Sequence, residues 1–307
     1  MKIDLIINNI VVDVLEGMTL NQSIKSVASK LEFEIIIDDF KKIQEGQRVL
    51  LKIDDKNIFL GFIFTITKNK DNILKITAYD QLRYLKNNGI YNFIGKSATD
   101  IIKKISSDFG LKIKKLEDTY YKIPSLICDN NTLTDLINKA LLLTVQNTNN
   151  LYILYDECGE LILNNIKNMF LNLKLDNTSA VDYEYSTSID NNVYNLVNVI
   201  DTKTNKMYIA KDDNNIKKWG ILQYIDKAQE GENISIKAQS LLKLYNKSNR
   251  SLNIKGVKGD LNIRAGCTIL VDIDLTISKM LIKSVTHYFY DNEHKMDFNL
   301  IGGDLNI

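Results

Sequence analysis

The chain reads as α+β, mainly β, with an antiparallel β module at each end and a smaller α/β segment between them. Three observations carry this reading. Apolar residues alternate with a period of two over roughly the first 90 residues, and again from about Tyr183 onward. Helical periodicity is confined to two stretches in the middle and one near Gly231 to Tyr245. Pro124 is the only proline in 307 residues, so turns are built from Asn, Asp, Gly and Lys, and proline-rich linkers are excluded.

Taken in order, Lys2 to Leu15 predicts a hairpin around Asn8-Asn9. Gln22 to Leu31 fits both periods, and the expectation is at most a short helix followed by a strand. Arg48–Ile53, Ile58–Thr67 and Ile73–Tyr79 form a meander through the polar turns Asp54 to Asn57 and Asn69 to Asn72, closed or half-closed into a barrel. Asp80 then caps a short helix. Ser97 and Asp100 have capping-box spacing ahead of Ile101, Ile102, Ile105 and Phe109, and Gly110 stops that helix. Leu111–Leu116 reads as a strand. A second helix starts near Thr132 and leads to the hairpin Tyr152–Tyr155/Glu160–Asn164. Strands follow at Val193–Ile200, Met207–Ala210 and Trp219–Ile225, then the helix ending at Tyr245. The remainder is β: Leu252–Lys255, Leu261–Ile263, Thr268–Ile273, Met280–Tyr290 and His294–Gly302, with Gly256, Gly259 and Gly266 at corners.

Lys and Arg total 39 against 38 Asp and Glu, so the formal net charge is +1. Binding nucleic acid through bulk electrostatics needs a basic excess, and none exists. No run approaches the ~18 apolar residues that cross a bilayer, and Met1 to Gly17 has no signal-peptide pattern. The 3 cysteines, Cys128, Cys158 and Cys267, are far apart and odd in number, which fits a reducing compartment better than a disulfide framework.

The chemistry-bearing residues are few. His287 and His294 flank a predicted hairpin turn at Asp291-Asn292, a register that pairs His287 with Met296 and His294 with Phe289 and puts both imidazoles on one face. With Asp291 or Glu293 they are the candidate metal ligands. Zinc sites need three or four convergent ligands, so the expectation is a pair of satisfied imidazoles and no metal. No nucleophile elbow, CxxC, P-loop or dinucleotide fingerprint occurs. The adjacent carboxylates Asp38-Asp39, Asp54-Asp55 and Asp212-Asp213 are turn residues, since strand neighbours point to opposite faces. No catalytic or cofactor-binding residue is assigned, and no cofactor is expected. The Tyr pairs Tyr120-Tyr121, Tyr183/Tyr185 and Tyr288/Tyr290 leave an alternative open: a glycan- or cell-wall-binding protein that stacks sugars on Tyr-rich strands.

Ala78-Tyr79-Asp80-Gln81-Leu82-Arg83-Tyr84-Leu85-Lys86-Asn87 resembles a signature of the baseplate hub proteins of contractile tails, from PBSX-like prophages and R-type bacteriocins. These are related to the late-control-D and VgrG amino-terminal hubs. Further matches keep the family order: Thr99 to Ile102 with Asp108 to Leu111, Trp219 to Gln223, Gly259-Asp260 with Arg264 to Gly266, and Val285 to His287 with His294 to Met296. Asn88 stands where the family has a further Lys, and Asp297 to Leu300 matches loosely. The resemblance covers nearly the whole chain. It implies two tube-like antiparallel β-barrel domains, 1–90 and 181–203 with 248–307, flanking an α/β domain at 91–180, with a strand-helix insert at 204–247. It further implies a homotrimer whose six barrels make a pseudo-sixfold ring joining the tail tube, or a tube initiator, to the central spike. Baseplate wedge or tape-measure components would be neighbours. No membrane, sequence-specific nucleic acid or catalytic role is implied. The location would be a phage or phage-like tail particle, assembled in a bacterial cytoplasm and released by lysis.

Overall fold

Asn8 and Asn9 have φ angles of 50° and 70°. A two-residue hairpin turn needs this left-handed pair, and Asn tolerates it. The turn joins Ile3–Ile7 to Ile10–Val12 with Ile7 opposite Ile10. Asp54 and Asp55, with φ of 46° and 64°, repeat the device between Arg48–Ile53 and Lys56–Lys68. The four-residue turn expected there is therefore two residues long. The computed structural model describes residues 1–25, 27–36, 43–176, 181–228, 232–273, 276–290 and 293–302.

One sheet of 13 strands dominates. Its path runs Asp182–Ser188, Asn249–Lys258, Glu293–Ile301, Thr276–Tyr290, Leu15–Ser23, Lys30–Ile36, Ile73–Tyr79, Lys56–Lys68, Arg48–Ile53, Ile3–Ile7 and Ile10–Val12. Thr268–Ile273 also pairs with Thr276–Tyr290 and carries Phe170–Asp176 on its far side. The two ends of the chain are thus joined: Leu15–Ser23 pairs with Thr276–Tyr290, placing Met18 opposite Phe289 and Leu20 opposite His287. Two separate barrels were expected, but among the described residues the path closes into none. It ends freely at Ile10–Val12, Asp182–Ser188 and Phe170–Asp176. The physical reason is that Leu15–Ser23 gives one edge to each half. Phe289 is accordingly buried in the amino-terminal core with Leu5, Leu31, Phe33, Leu51 and Ile76.

The middle is built on two helices, α1 (Ala98–Asp108) and α2 (Leu133–Thr148). The capping box that opens α1 is complete: the Asp100 amide donates to Ser97 Oγ at 3.2 Å and the Ser97 amide to Asp100 Oδ2 at 3.0 Å. These helices share a core with a ribbon of Asn88–Lys96 and Ile123–Thr132, two strands the sequence reading missed. Pro124 sits near the start of the second strand, in a ribbon with no third strand to require its missing N–H. Tyr152–Glu157 and Glu160–Asn165 pair as expected, and Ile113–Leu116 joins them in parallel.

A further unit has Leu196–Asp201 at its centre, between Lys206–Lys211 and Gln223–Lys227. Here α3 (Asp213–Trp219) contains the Trp219 that was expected in a strand, and α4 (Ile234–Tyr245) covers the inner face over Val197, Val199 and Ala210. The expected insert boundary at residue 204 falls inside this unit. The described part of Gln22 to Leu31 has no helix, within the expected limit of a short one, and the expected strand follows from Lys30 after the preceding strand ends at Ser23. One other expectation fails. Leu261–Ile263 is a turn, in which Asp260 Oδ1 accepts from the Asn262 amide at 2.8 Å. Ser26, Asp38-Asp39, Gly231 and the Asp291-Asn292 turn lie outside the described residues. Among those described, no helix is long and apolar enough to cross a membrane.

Candidate functional site

The buried polar groups gather where the two β halves and the α/β middle meet. Asp80 ends Ile73–Tyr79 and caps the 3-10 helix Gln81–Lys86, accepting from the Leu82 amide at 2.9 Å. Its other oxygen accepts from the Ser29 amide at 2.8 Å, tying this turn to the loop before Lys30–Ile36. The next residue, Gln81, reaches into the middle segment. Its Oε1 accepts from the Lys112 amide at 3.1 Å, and its Nε2 donates to the Lys112 carbonyl at 3.2 Å and to Asp156 Oδ2 at 2.7 Å. Asp156 also accepts from the Gly159 amide at 2.8 Å, which fixes the Cys158-Gly159 turn. From the carboxy-terminal half, Arg264 Nη2 donates to the Asp156 carbonyl at 3.2 Å, and its guanidinium lies 3.5 Å from the Tyr155 ring centroid.

Asp80 is 1% exposed and Asp156 6%, and among the described residues neither carboxyl forms an ion pair. Burial, then the charge of Asp156, pushes Asp80 up to about 7. Burial likewise pushes Asp156 up to about 6. This pair is not among the adjacent carboxylates singled out in the sequence, because its bridge from Gln81 to Asp156 spans 75 residues.

The histidines fall where the hairpin register put them, His287 opposite Met296 and His294 opposite Phe289. His287 Nδ1 and His294 Nε2 are 3.0 Å apart, so one ring donates to the other, and His294 stacks on Phe289 at 4.5 Å between centroids. Burial drives His287 down to about 3 and lowers His294 as well. The His294 ring rests on Gly259, where any Cβ would collide with it. Glu293 pairs with Lys295 at 2.9 Å, Asp291 is not described, and no group of three metal-ligating residues occurs among the described ones. Two mutually satisfied imidazoles in an apolar setting are a poor start for a metal centre.

His287, Asp156 and Arg264 line a cleft of about 600 Å³, walled also by Leu20, Gln22 and Ile58. Of the remaining candidates, Tyr121 donates to Glu232 at 3.1 Å and Tyr288 to Asp297 at 3.1 Å. Tyr120 is exposed, with a left-handed φ of 56°. Tyr183 and Tyr185 lie opposite the buried Ile254 and Leu252 on the edge strand and are themselves exposed. Asp54 and Asp55 form a turn, and Asp212 caps α3. The arrangement ties the modules to one another through Gln81, Asp156 and Arg264.

Known proteins share this architecture. YqbQ of Bacillus subtilis strain 168 is 29% identical over 297 residues, covering 94% of this chain and 90% of that protein. XkdQ of the phage-like element PBSX, from the same organism, is 30% identical over 272 residues, covering 85% and 83%. The 43 kDa tail protein of prophage MuSo2 from Shewanella oneidensis has a TM-score of 0.73 at 12% identity, covering 99% of each chain. The E. coli c3393 protein is described as a type VI secretion component with structural similarity to T4 tail proteins gp27 and gp5. It has a TM-score of 0.62 at 10% identity, covering 98% of this chain and 77% of that one. At such identities the structures speak for the fold alone. The sequence relatives speak for descent, and the PBSX resemblance read from the motifs is met by XkdQ. The family described as YQBQ-like matches residues 18–301, and the chain belongs to it.

Proposed function

We propose that the chain is a structural component of a phage-type tail baseplate, acting as its hub. The observation that carries this is the pairing of Leu15–Ser23 with Thr276–Tyr290, which sets two β units side by side in one sheet. Three copies then offer six such units, the number a pseudo-sixfold ring at the end of a tail tube requires. The origin of XkdQ in a phage-like element and the fold shared with a prophage tail protein support the reading. The edge strand Asp182–Ser188 supports it too, because among the described residues it pairs on one side only and an open strand edge needs a partner. In this proposal 1–90 and 181–195 with 248–307 are the tube-like units and 91–180 is the α/β domain. The insert starts at Leu196 and so takes in the centre of its own sheet. The homotrimer joins the tube or its initiator to the spike, beside wedge or tape-measure components, and has no catalytic role. The alternative, a glycan-binding protein, would rest on the exposed Tyr183 and Tyr185 of the edge strand, and the phage-like origin of XkdQ favours the hub reading over it.

Imaging the protein in purified tail particles tests the proposal. The expected result is a ring with threefold symmetry and a central channel. A monomer inside those particles would sink it.

A further inference from the structure

We propose that the junction of the three modules is clamped by one proton carried by the Asp80–Asp156 carboxyl pair, and that losing this proton to the cleft loosens the junction. The geometry sets the charge balance. Both carboxyls are buried, and Gln81, adjacent to one and hydrogen-bonded to the other, ties them into a single network. Their oxygens accept from four donors, the Ser29, Leu82 and Gly159 amides and the Gln81 side chain; these bonds favour the charged forms, and burial without an ion pair works against them.

The charged and titratable groups around the pair come from every packed element. Lys114 and Glu157 pair with each other and cancel. Burial raises Tyr155, raises the Cys158 thiol to about 11 and lowers His287 to about 3, so all three are neutral near pH 7. Lys56 and Glu160, which line the same cleft, are exposed and opposite in sign; the buried cation there is Arg264, whose guanidinium is engaged with the Asp156 carbonyl and the Tyr155 ring. One positive charge balances one carboxylate. The second carboxyl stays neutral only with a proton, because two buried carboxylates against a single guanidinium leave an uncompensated charge in low dielectric. Asp156 lines the cleft, which gives that proton a route to water.

Ser29 belongs to the amino-terminal half, Gln81 and Lys112 to the link into the middle, and Arg264 to the carboxy-terminal half. The proton therefore acts on contacts among all three. Its effect follows from the direction of the shift. A carboxyl that holds its proton more tightly when folded adds stability that is whole at low pH and is lost as pH rises through its folded value. The hub reading is not needed for this.

The test compares thermal unfolding of the full chain with that of Asp156→Asn, at fixed protein concentration, from about pH 4.5 to 8.5. The asparagine is neutral at every pH, so the ratio of folding constants, wild type over variant, should fall about tenfold per pH unit up to about pH 7 and then level. Infrared spectra of the wild type alone supply a second readout that needs no variant. A protonated carboxylic carbonyl band should persist at about pH 6 and titrate away near pH 7. Parallel unfolding profiles, or no protonated carboxyl at pH 6, would overturn the proposal.

Discussion

His287 and Asp80 oppose one another in pH. Burial depresses His287 from 6.5 to about 3, so its contribution is whole above pH 6.5 and is lost as pH falls toward 3, roughly 5 kcal/mol in all. Asp80, raised to about 7, loses its contribution as pH rises from about 4 to 7. Asp156 shifts in the same sense as Asp80 and His294 in the same sense as His287, so over the shared window the carboxyl and imidazole slopes oppose and the wild type should look nearly flat. His287→Gln keeps an amide beside His294 but cannot titrate. Its stability, followed by urea unfolding, should fall steadily from about pH 4 to 7, and a flat profile would refute the assignment. Gln81 bears the other residue-scale prediction. Gln81→Leu removes three hydrogen bonds, leaves the Lys112 amide without its acceptor and orphans Asp156 Oδ2, at a cost of about 2–4 kcal/mol at pH 7. A loss under ~0.5 kcal/mol would mean that water replaces the amide without penalty. The histidine pair was legible in the sequence because strand period and a two-residue turn fix register locally. The Asp80–Asp156 network was not, because its members become neighbours only through packing between segments that carry no shared local signal.

At the scale of elements, legibility follows the same division. The cap of α1, the Asn8-Asn9 turn and the Cys158-Gly159 hairpin were readable because their determinants lie within four residues of one another. The ribbon of Asn88–Lys96 with Ile123–Thr132 was not. Its outward face carries the exposed Ile90, Ile94 and Ile127, which blur the alternation that marks a half-buried strand. α3 spans 7 residues and none is buried, so it has no apolar face to announce it. α4 owes its position to one buried cation. Lys237, 3% exposed at its side chain, pairs with Glu232 at 2.8 Å and Asp226 at 3.1 Å, and donates to the Lys227 carbonyl at 2.9 Å. Glu232 in turn accepts from Tyr121, linking the insert to the middle segment. Lys237→Met should destabilise the insert by about 3–5 kcal/mol, because the Glu232 side chain, 4% exposed, is left buried without its cation. Trp219 lies in the same unit and its fluorescence should report the loss. Pairing the change with Glu232→Gln should recover much of it, and failure to recover would place the damage in packing rather than charge.

For the whole molecule, the consequential feature is that neither β half owns the strand Leu15–Ser23. Its pairing with Lys30–Ile36 completes the amino-terminal half, and its pairing with Thr276–Tyr290 joins that half to the carboxy-terminal one. The sequence placed β modules correctly at the two ends but could not reveal this seam, since strand partners 265 residues apart, such as Asn21 and Thr286, leave no local trace. Gly17 marks its tightest point. With φ of 104° it has a backbone that L side chains rarely adopt, and any Cβ there would run into the Phe289 carbonyl. Gly17→Val should therefore spread the seam, lifting Met18 from Phe289 and exposing a core that contains residues of both halves. The insert, whose core of Val197, Val199, Ala210, Ala238 and Leu241 is separate, has no contact with that strain. Hydrogen exchange read by mass spectrometry distinguishes the cases. In Gly17→Val, peptides covering Val49–Ile63 and Met280–Phe298 should lose protection together, while those covering Leu196–Lys211 keep it. Loss confined to the amino-terminal peptides would mean that the halves fold independently and that the seam only holds them in register. Joint loss would mean that the two β units behave as one cooperative body, as a subunit must if force applied at one unit is to reach the other without unfolding the sheet between them.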